Sequence, residues 1–125
     1  MTNSFAEFAH AKMFLVIGSN MTEAHPVAAT FVKNAVLNGA RLIVVDPRRH
    51  ALTDFADLHV PIRVGSDIAL LNGLMHIIIE HELYDKACVR SCTVGFDQLK
   101  AKIADYPPEH AAAICGIPVQ MLHDL

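Results

Sequence analysis

The stretch Met13-Phe14-Leu15-Val16-Ile17-Gly18-Ser19-Asn20-Met21-Thr22-Glu23-Ala24-His25-Pro26, MFLVIGSNMTEAHP, decides the fold. Five apolar residues in a row, closed by a glycine, are what a strand buried on both faces of a parallel sheet requires. Small polar residues follow, and Pro26 fits the first position of a helix, where its missing N–H costs nothing. The spacing predicts a helix over 26–38, with Val27, Ala28, Phe31, Val32 and Ala35 on one stripe and Gly39 at its C-terminal end. Leu42-Ile43-Val44-Val45 then makes a second apolar strand that stops at Asp46-Pro47. Strand, helix and strand in this order form a βαβ unit with a right-handed crossover.

Downstream, Leu58, Val60, Ile62 and Val64 alternate with His59, Pro61 and Arg63, a half-exposed strand that Pro61 assigns to an edge. Ser66-Asp67 supplies an N-cap and a first-turn acid for a helix reaching about residue 82. Short helical segments follow over 85–90, 96–105 and 109–115, with a last one opening at Pro118 and punctuation by Tyr106-Pro107-Pro108 and Gly116-Ile117-Pro118. The expected architecture is one α/β domain over 1–125. A Rossmann-like parallel sheet with flanking helices, three-layer αβα, belongs to residues 1–82, and a small helical part to 83–125. The chain stops at Leu125 in a barely begun helix, so it is expected to be an excerpt of a longer polypeptide.

The totals narrow the function. With 125 residues, 53% apolar and 18% charged, the chain is long and greasy enough to bury a core. A formal net charge of −3 provides no basic footprint for nucleic acid. Cys88, Cys92 and Cys115 lack zinc or disulfide spacing, which favours a reducing, cytoplasmic setting and free, mostly buried thiols. No signal peptide is visible. The greasiest segment, 68–79, falls short of the roughly 20 apolar residues of a membrane span.

Three strand-to-helix junctions carry polar residues suited to a ligand. At the first, Gly18 permits a tight turn while Ser19, Asn20 and Thr22 offer donors, as in a nucleotide-binding turn, but the later glycines of the dinucleotide fingerprint are missing. Glu23 would repel a phosphate and suits a neutral N–H or hydroxyl. At the second, Asp46 stands where doubly wound sheets place a ribose-binding acid, with Pro47 and Arg48 beside it. At the third, Gly65-Ser66-Asp67, the acid either accepts from a guanine-like pair of N–H donors or complements the helix dipole. Each junction has an equally plain structural role as a polar turn. A parallel sheet gathers the carboxyl ends of its strands, and three such signals would meet at one crevice. No nucleophile–base pair and no metal-ligand set stands out; His76, Glu80 and His81 lack a zinc-protease spacing.

Several motifs in order resemble the molybdopterin oxidoreductases, and among them the catalytic α subunit of formate dehydrogenase. They are Gly18-Ser19-Asn20, Glu23-Ala24-His25-Pro26, Asn38-Gly39-Ala40 continuing through Asp46-Pro47-Arg48-Arg49, Ala56-Asp57-Leu58-His59, Gly65-Ser66-Asp67 continuing to Gly73, Glu82 to Lys86, Gly95-Phe96-Asp97, Tyr106-Pro107-Pro108-Glu109 and Gly116-Ile117-Pro118. The resemblance implies an internal, cofactor-cradling segment that is inactive alone, in an enzyme oxidising formate to carbon dioxide. It implies a molybdopterin guanine dinucleotide carrying molybdenum or tungsten, with its guanosine-diphosphate half against this segment. Gly18, Ser19, Asn20 and Glu23 would pack on the dinucleotide, and Asp46, Pro47, Arg48, Gly65 and Asp67 would form the ribose and guanine pocket. Carboxylates suit that pocket, because guanine and ribose present N–H and O–H donors. A 4Fe-4S cluster and the catalytic residues would lie elsewhere in the subunit. The implied partners are the remainder of that subunit and electron-transfer subunits, and the apolar faces left open are expected to favour self-association. A free-standing Rossmann-like nucleotide-binding or interaction module is the alternative, with an NAD-binding domain behind it.

Overall fold

A computed structural model describes residues 4–125, which form two compact units divided between Pro61 and Ile62. The first holds strands β1 (Met13–Ile17), β2 (Arg41–Val45) and β3 (Leu58–Val60), paired in parallel in the order β1-β2-β3. Helices α1 (Met21–Ala24) and α2 (Pro26–Leu37) connect β1 to β2. The expected parallel α/β fold is therefore present, and its details differ from expectation in several places.

The central strand is β2, and it alone among the three is buried along nearly its whole length, Leu42 to Val45 being at most 2% exposed. β1 was expected to be buried on both faces, yet Met13 and Leu15 are exposed, because it is the opposite face, with Phe14 and Val16, that packs on the core. Helix α2 buries Ala28, Ala29, Val32 and Ala35, whereas Val27 and Phe31 lie off that stripe. Phe31 instead stacks on Phe5 of a 3-10 turn over Phe5–His10, at a ring-centroid distance of 6.1 Å. That turn opens with a reciprocal cap between Ser4 and Glu7, and Phe8 adds an edge-on contact to Phe14 of β1. The core joins Val32, Leu42, Val44 and Leu52, flanked by Phe8, Phe14, Val16 and Phe55.

The third strand is shorter than the alternation suggested. It ends at Val60, because Pro61 has no N–H to continue a ladder, and residues 62 and 64 are not in a strand. A side chain reinforces its start. Asp57 Oδ2 accepts from the Leu42 N–H at 2.7 Å while the Asp57 N–H donates to Leu42 O at 2.8 Å.

The second unit is helical: α3 (Asp67–Glu80), α4 (Lys86–Cys92), α5 (Phe96–Ile103), α6 (Pro108–Cys115) and α7 (Val119–Asp124). α3 packs on α5, α6 and α7, and Leu70, Ile77, Ile103, Ala111, Ala112, Cys115 and Leu122 are buried. Ser66 occupies the N-cap position of α3 but makes no capping bond; its hydroxyl donates back to Arg63 O at 2.6 Å. Gly116 ends α6 in the left-handed region at φ 72°, where glycine is favoured. The change of texture to short helices after Glu82 falls inside this unit, between α3 and α4.

All three cysteines are free, but only Cys115 is buried. The expectation of mostly buried thiols fails for Cys88 and Cys92, because α4 buries none of its residues. Burial pushes the Cys115 thiol above its usual range, outweighing the Ser66 side chain, which acts in the opposite direction. The neutral thiol is therefore the stable form at neutral pH and is a poor nucleophile. Iodoacetamide at pH 8 is expected to modify Cys88 and Cys92 of the folded chain and to reach Cys115 only after unfolding. Mass spectrometry of the labelled peptides reads this, and equal labelling of Cys115 in the native chain would contradict its burial.

Candidate functional site

Strand pairing brings two of the three expected junctions side by side. Ile17 lies opposite Val45, and the Gly18 N–H donates to Val45 O at 2.8 Å. The turn after β1 and the turn after β2 therefore leave the sheet together at its carboxyl edge, where parallel sheets hold their ligands. Gly18 has φ 59°, and a Cβ built there meets nothing within 4 Å. Its requirement is backbone conformation, and the space above it is open.

After Gly18 the chain does not run straight into the long helix. Ser19 and Asn20 are half-buried and lead into the single turn of α1. Asn20 O accepts from the N–H groups of Glu23 and Ala24, and its side-chain Oδ1 accepts from the Thr22 hydroxyl at 2.7 Å. Glu23 is exposed, and among the described residues its carboxylate has no hydrogen-bond or ion-pair partner. A one-turn helix was not anticipated here, since four residues carry no readable period.

Asp46 is the best-defined element of the site. It is 5% exposed at the end of β2, and its N–H donates to Val60 O. Oδ1 accepts from the Arg48 N–H at 2.8 Å, a short side-chain turn that also leaves Pro47 and Arg48 exposed. Oδ2 lies 3.8 Å from His50 Nε2, beyond hydrogen-bond length. The Asp46 carbonyl lies 2.9 Å from His59 Nε2, which donates to it in the tautomer that protonates that nitrogen. Neither histidine was among the expected site residues. His59 was legible only as an outward position on the third strand, and His50 only as a residue after two arginines. Arg49 pairs with Asp54 at 3.7 Å on the exposed side of the loop, a contact of little energetic weight.

Gly65 and Asp67 belong to the second unit. Gly65 has φ 82° with open space at its Cβ position, and Asp67 is exposed as the first residue of α3. Among the described residues no cluster of three or more His, Cys, Asp and Glu is placed to hold a metal ion. No helix among them is long and apolar enough to cross a membrane.

Comparison with known proteins gives this geometry its setting. Residues 1–122 match the family described as molybdopterin oxidoreductase. Formate dehydrogenase H of Escherichia coli is 42% identical over 117 residues, covering 94% of this chain and 16% of that protein. The alpha subunit of an F420-dependent formate dehydrogenase from Methanocaldococcus jannaschii is 38% identical over 122 residues, covering 98% of this chain and 18% of that subunit. Among solved structures, acetylene hydratase from Pelobacter acetylenicus superposes with a TM-score of 0.87 at 36% identity, over 97% of this chain and 16% of the hydratase. The chain thus spans less than a fifth of each of these relatives.

Proposed function

The chain belongs to the molybdopterin oxidoreductase family, and from that premise we propose that it cradles the guanosine-diphosphate half of a molybdopterin guanine dinucleotide in a formate dehydrogenase-like enzyme. One observation carries the reading. Asp46 is a buried carboxylate with one oxygen tied to a backbone N–H and the other without a hydrogen bond, beside an open glycine turn. A buried acceptor of this kind fits a ligand that brings its own donors, as a ribose diol and the N1 and N2 groups of guanine do. An adenine nucleotide would not meet it equally, because its base lacks that donor pair.

In this reading Gly18, Ser19, Asn20 and Glu23 pack on the dinucleotide, and Asp46, Pro47, Arg48, Gly65 and Asp67 serve its ribose and guanine. Gly18 lets backbone approach the ligand without a side chain in the way. Asp46 orients the nucleoside through charge-assisted hydrogen bonds. Exposed Glu23 and Asp67 keep carboxylates available for N–H or O–H donors, and Arg48 lies free to meet a phosphate or a base edge. The bound cofactor would supply two-electron redox chemistry at its metal, with formate as the proposed substrate and a 4Fe-4S cluster outside this segment carrying electrons to partner subunits. This segment's contribution is binding and orientation.

The test is a calorimetric titration of the 125-residue chain with GDP and, separately, ADP. GDP is expected to bind more tightly, and Asp46→Ala is expected to weaken it roughly ten- to a hundredfold, the weight of a charge-assisted hydrogen bond. Equal affinity for the two nucleotides would remove guanine recognition from this reading, and an unchanged Asp46→Ala variant would remove Asp46 from the pocket.

A further inference from the structure

His50 is the one described residue with a buried side-chain nitrogen that meets no partner. Its side chain is 7% exposed, and Nε2 makes no hydrogen bond. The other ring nitrogen settles the proton's place. Leu52 N–H donates to His50 Nδ1 at 3.4 Å, so in the neutral ring Nδ1 is the acceptor and Nε2 carries the hydrogen. The backbone around the ring is also held, with the Thr53 hydroxyl and N–H both donating to His50 O, at 2.6 and 2.8 Å. A fixed, buried N–H thus faces Asp46 Oδ2 across 3.8 Å, the only carboxylate oxygen of Asp46 without a donor. Leaving the buried His50 N–H unmet is costly, and a shift of under an ångström joins it to Asp46 Oδ2.

We propose that His50 is a positioning residue for the nucleotide pocket, closing its Nε2–H onto Asp46 Oδ2 so that the carboxylate is clamped between Arg48 N–H and His50. This rests on the reading of Asp46 as a nucleotide-binding acid. Each carboxylate oxygen has two lone-pair directions, so a plane fixed by one donor on each oxygen keeps the remaining directions for the ligand. The carboxylate then needs no reordering when the ribose or base arrives, which favours affinity through preorganisation. His50 itself stays buried and acts through Asp46. His59, on the carbonyl of the same residue, steadies the backbone.

The experiment measures GDP affinity of the 125-residue chain for wild type, His50→Leu, His50→Gln, Asp46→Ala and the Asp46→Ala/His50→Leu pair. Imidazole 15N spectra of the wild type are recorded with and without GDP. We expect His50→Leu to bind roughly two- to tenfold more weakly, the range of one hydrogen bond. His50→Gln, whose amide N–H stands where Nε2–H was, is expected to bind near wild type. The leucine change is expected to have no further effect once Asp46 is alanine, and the His50 Nε2–H resonance is expected to move on GDP addition. Wild-type affinity in His50→Leu, or a loss that persists undiminished in the Asp46→Ala background, overturns the positioning role while leaving Asp46 in the pocket. Absence of GDP binding by the wild type overturns the pocket reading and this role with it. Should His50→Leu fail to fold, the glutamine variant and the wild-type spectra decide: an Nδ1–H tautomer, or an Nε2–H indifferent to GDP, overturns the role.

Discussion

Leu52→Ala is expected to destabilise the first unit by about 2–5 kcal/mol, the range for truncating a fully buried leucine. Leu52 is 0% exposed and packs with Val32, Leu42 and Val44, so no neighbour is free to fill the void without leaving its own contacts. In a domain whose total stability is on the order of 5–15 kcal/mol, the loss is a large share. The effect extends to the site, because the Leu52 N–H is also the donor to His50 Nδ1. Once the side chain no longer anchors the loop, the ring that faces Asp46 loses its restraint, and GDP affinity is expected to fall along with the urea midpoint. Leu52→Met, which nearly conserves volume, is expected to cost less than about 1.5 kcal/mol and to keep binding. An unchanged midpoint for Leu52→Ala would contradict the described core.

Gly73→Ala tests the second unit in the opposite sense, by adding an atom. Helix propensity alone favours the change by up to about 1 kcal/mol in the middle of α3. Packing opposes it: the new Cβ would sit 2.5 Å from Ala111 Cβ and 3.1 Å from Leu122 Cδ2. Ala111 is itself buried in α6, so the two helices must separate. Overpacking costs typically about 1–3 kcal/mol, and at so short a distance we expect the upper part of that range to win. Adding Ala111→Gly to Gly73→Ala removes the opposing Cβ and is expected to recover part of the loss, a coupling read from urea denaturation of the four chains in the cycle. A higher midpoint for Gly73→Ala alone would rule out the close approach of α3 and α6.

The βαβ path from Met13 to Val45 was legible because glycine, proline and apolar runs all pointed to the same boundaries. For β2, local pattern and burial agree. For β1 they do not, since an apolar run does not reveal that the face with Met13 and Leu15 is left uncovered. The alternation through Ile62 and Val64 continued past the point where Pro61 removes the ladder donor. In the candidate site, the position of Asp46 was legible because the end of a parallel strand has a predictable location. His50 was not, because a spacing of four residues carries no geometry outside a helix. Its approach to Asp46 depends on a loop folded back by Leu52 and Thr53. Glu23 was legible as an acid in the turn, but its exposure follows from α1, which the pattern did not reveal.

The paired bonds between Asp57 and Leu42 serve as an indexing pin. A strand as short as β3 could slide two residues along β2 and still present the same faces inward and outward, so apolar pattern alone does not forbid the slip. A side chain that grips one named backbone N–H, while its own N–H grips the matching carbonyl, has only one seat. From that seat the chain counts forward two residues to His59, and the imidazole arrives opposite the carbonyl of Asp46. The meeting of His59 with Asp46 is thus measured out from the far end of the sheet, by a residue that touches neither.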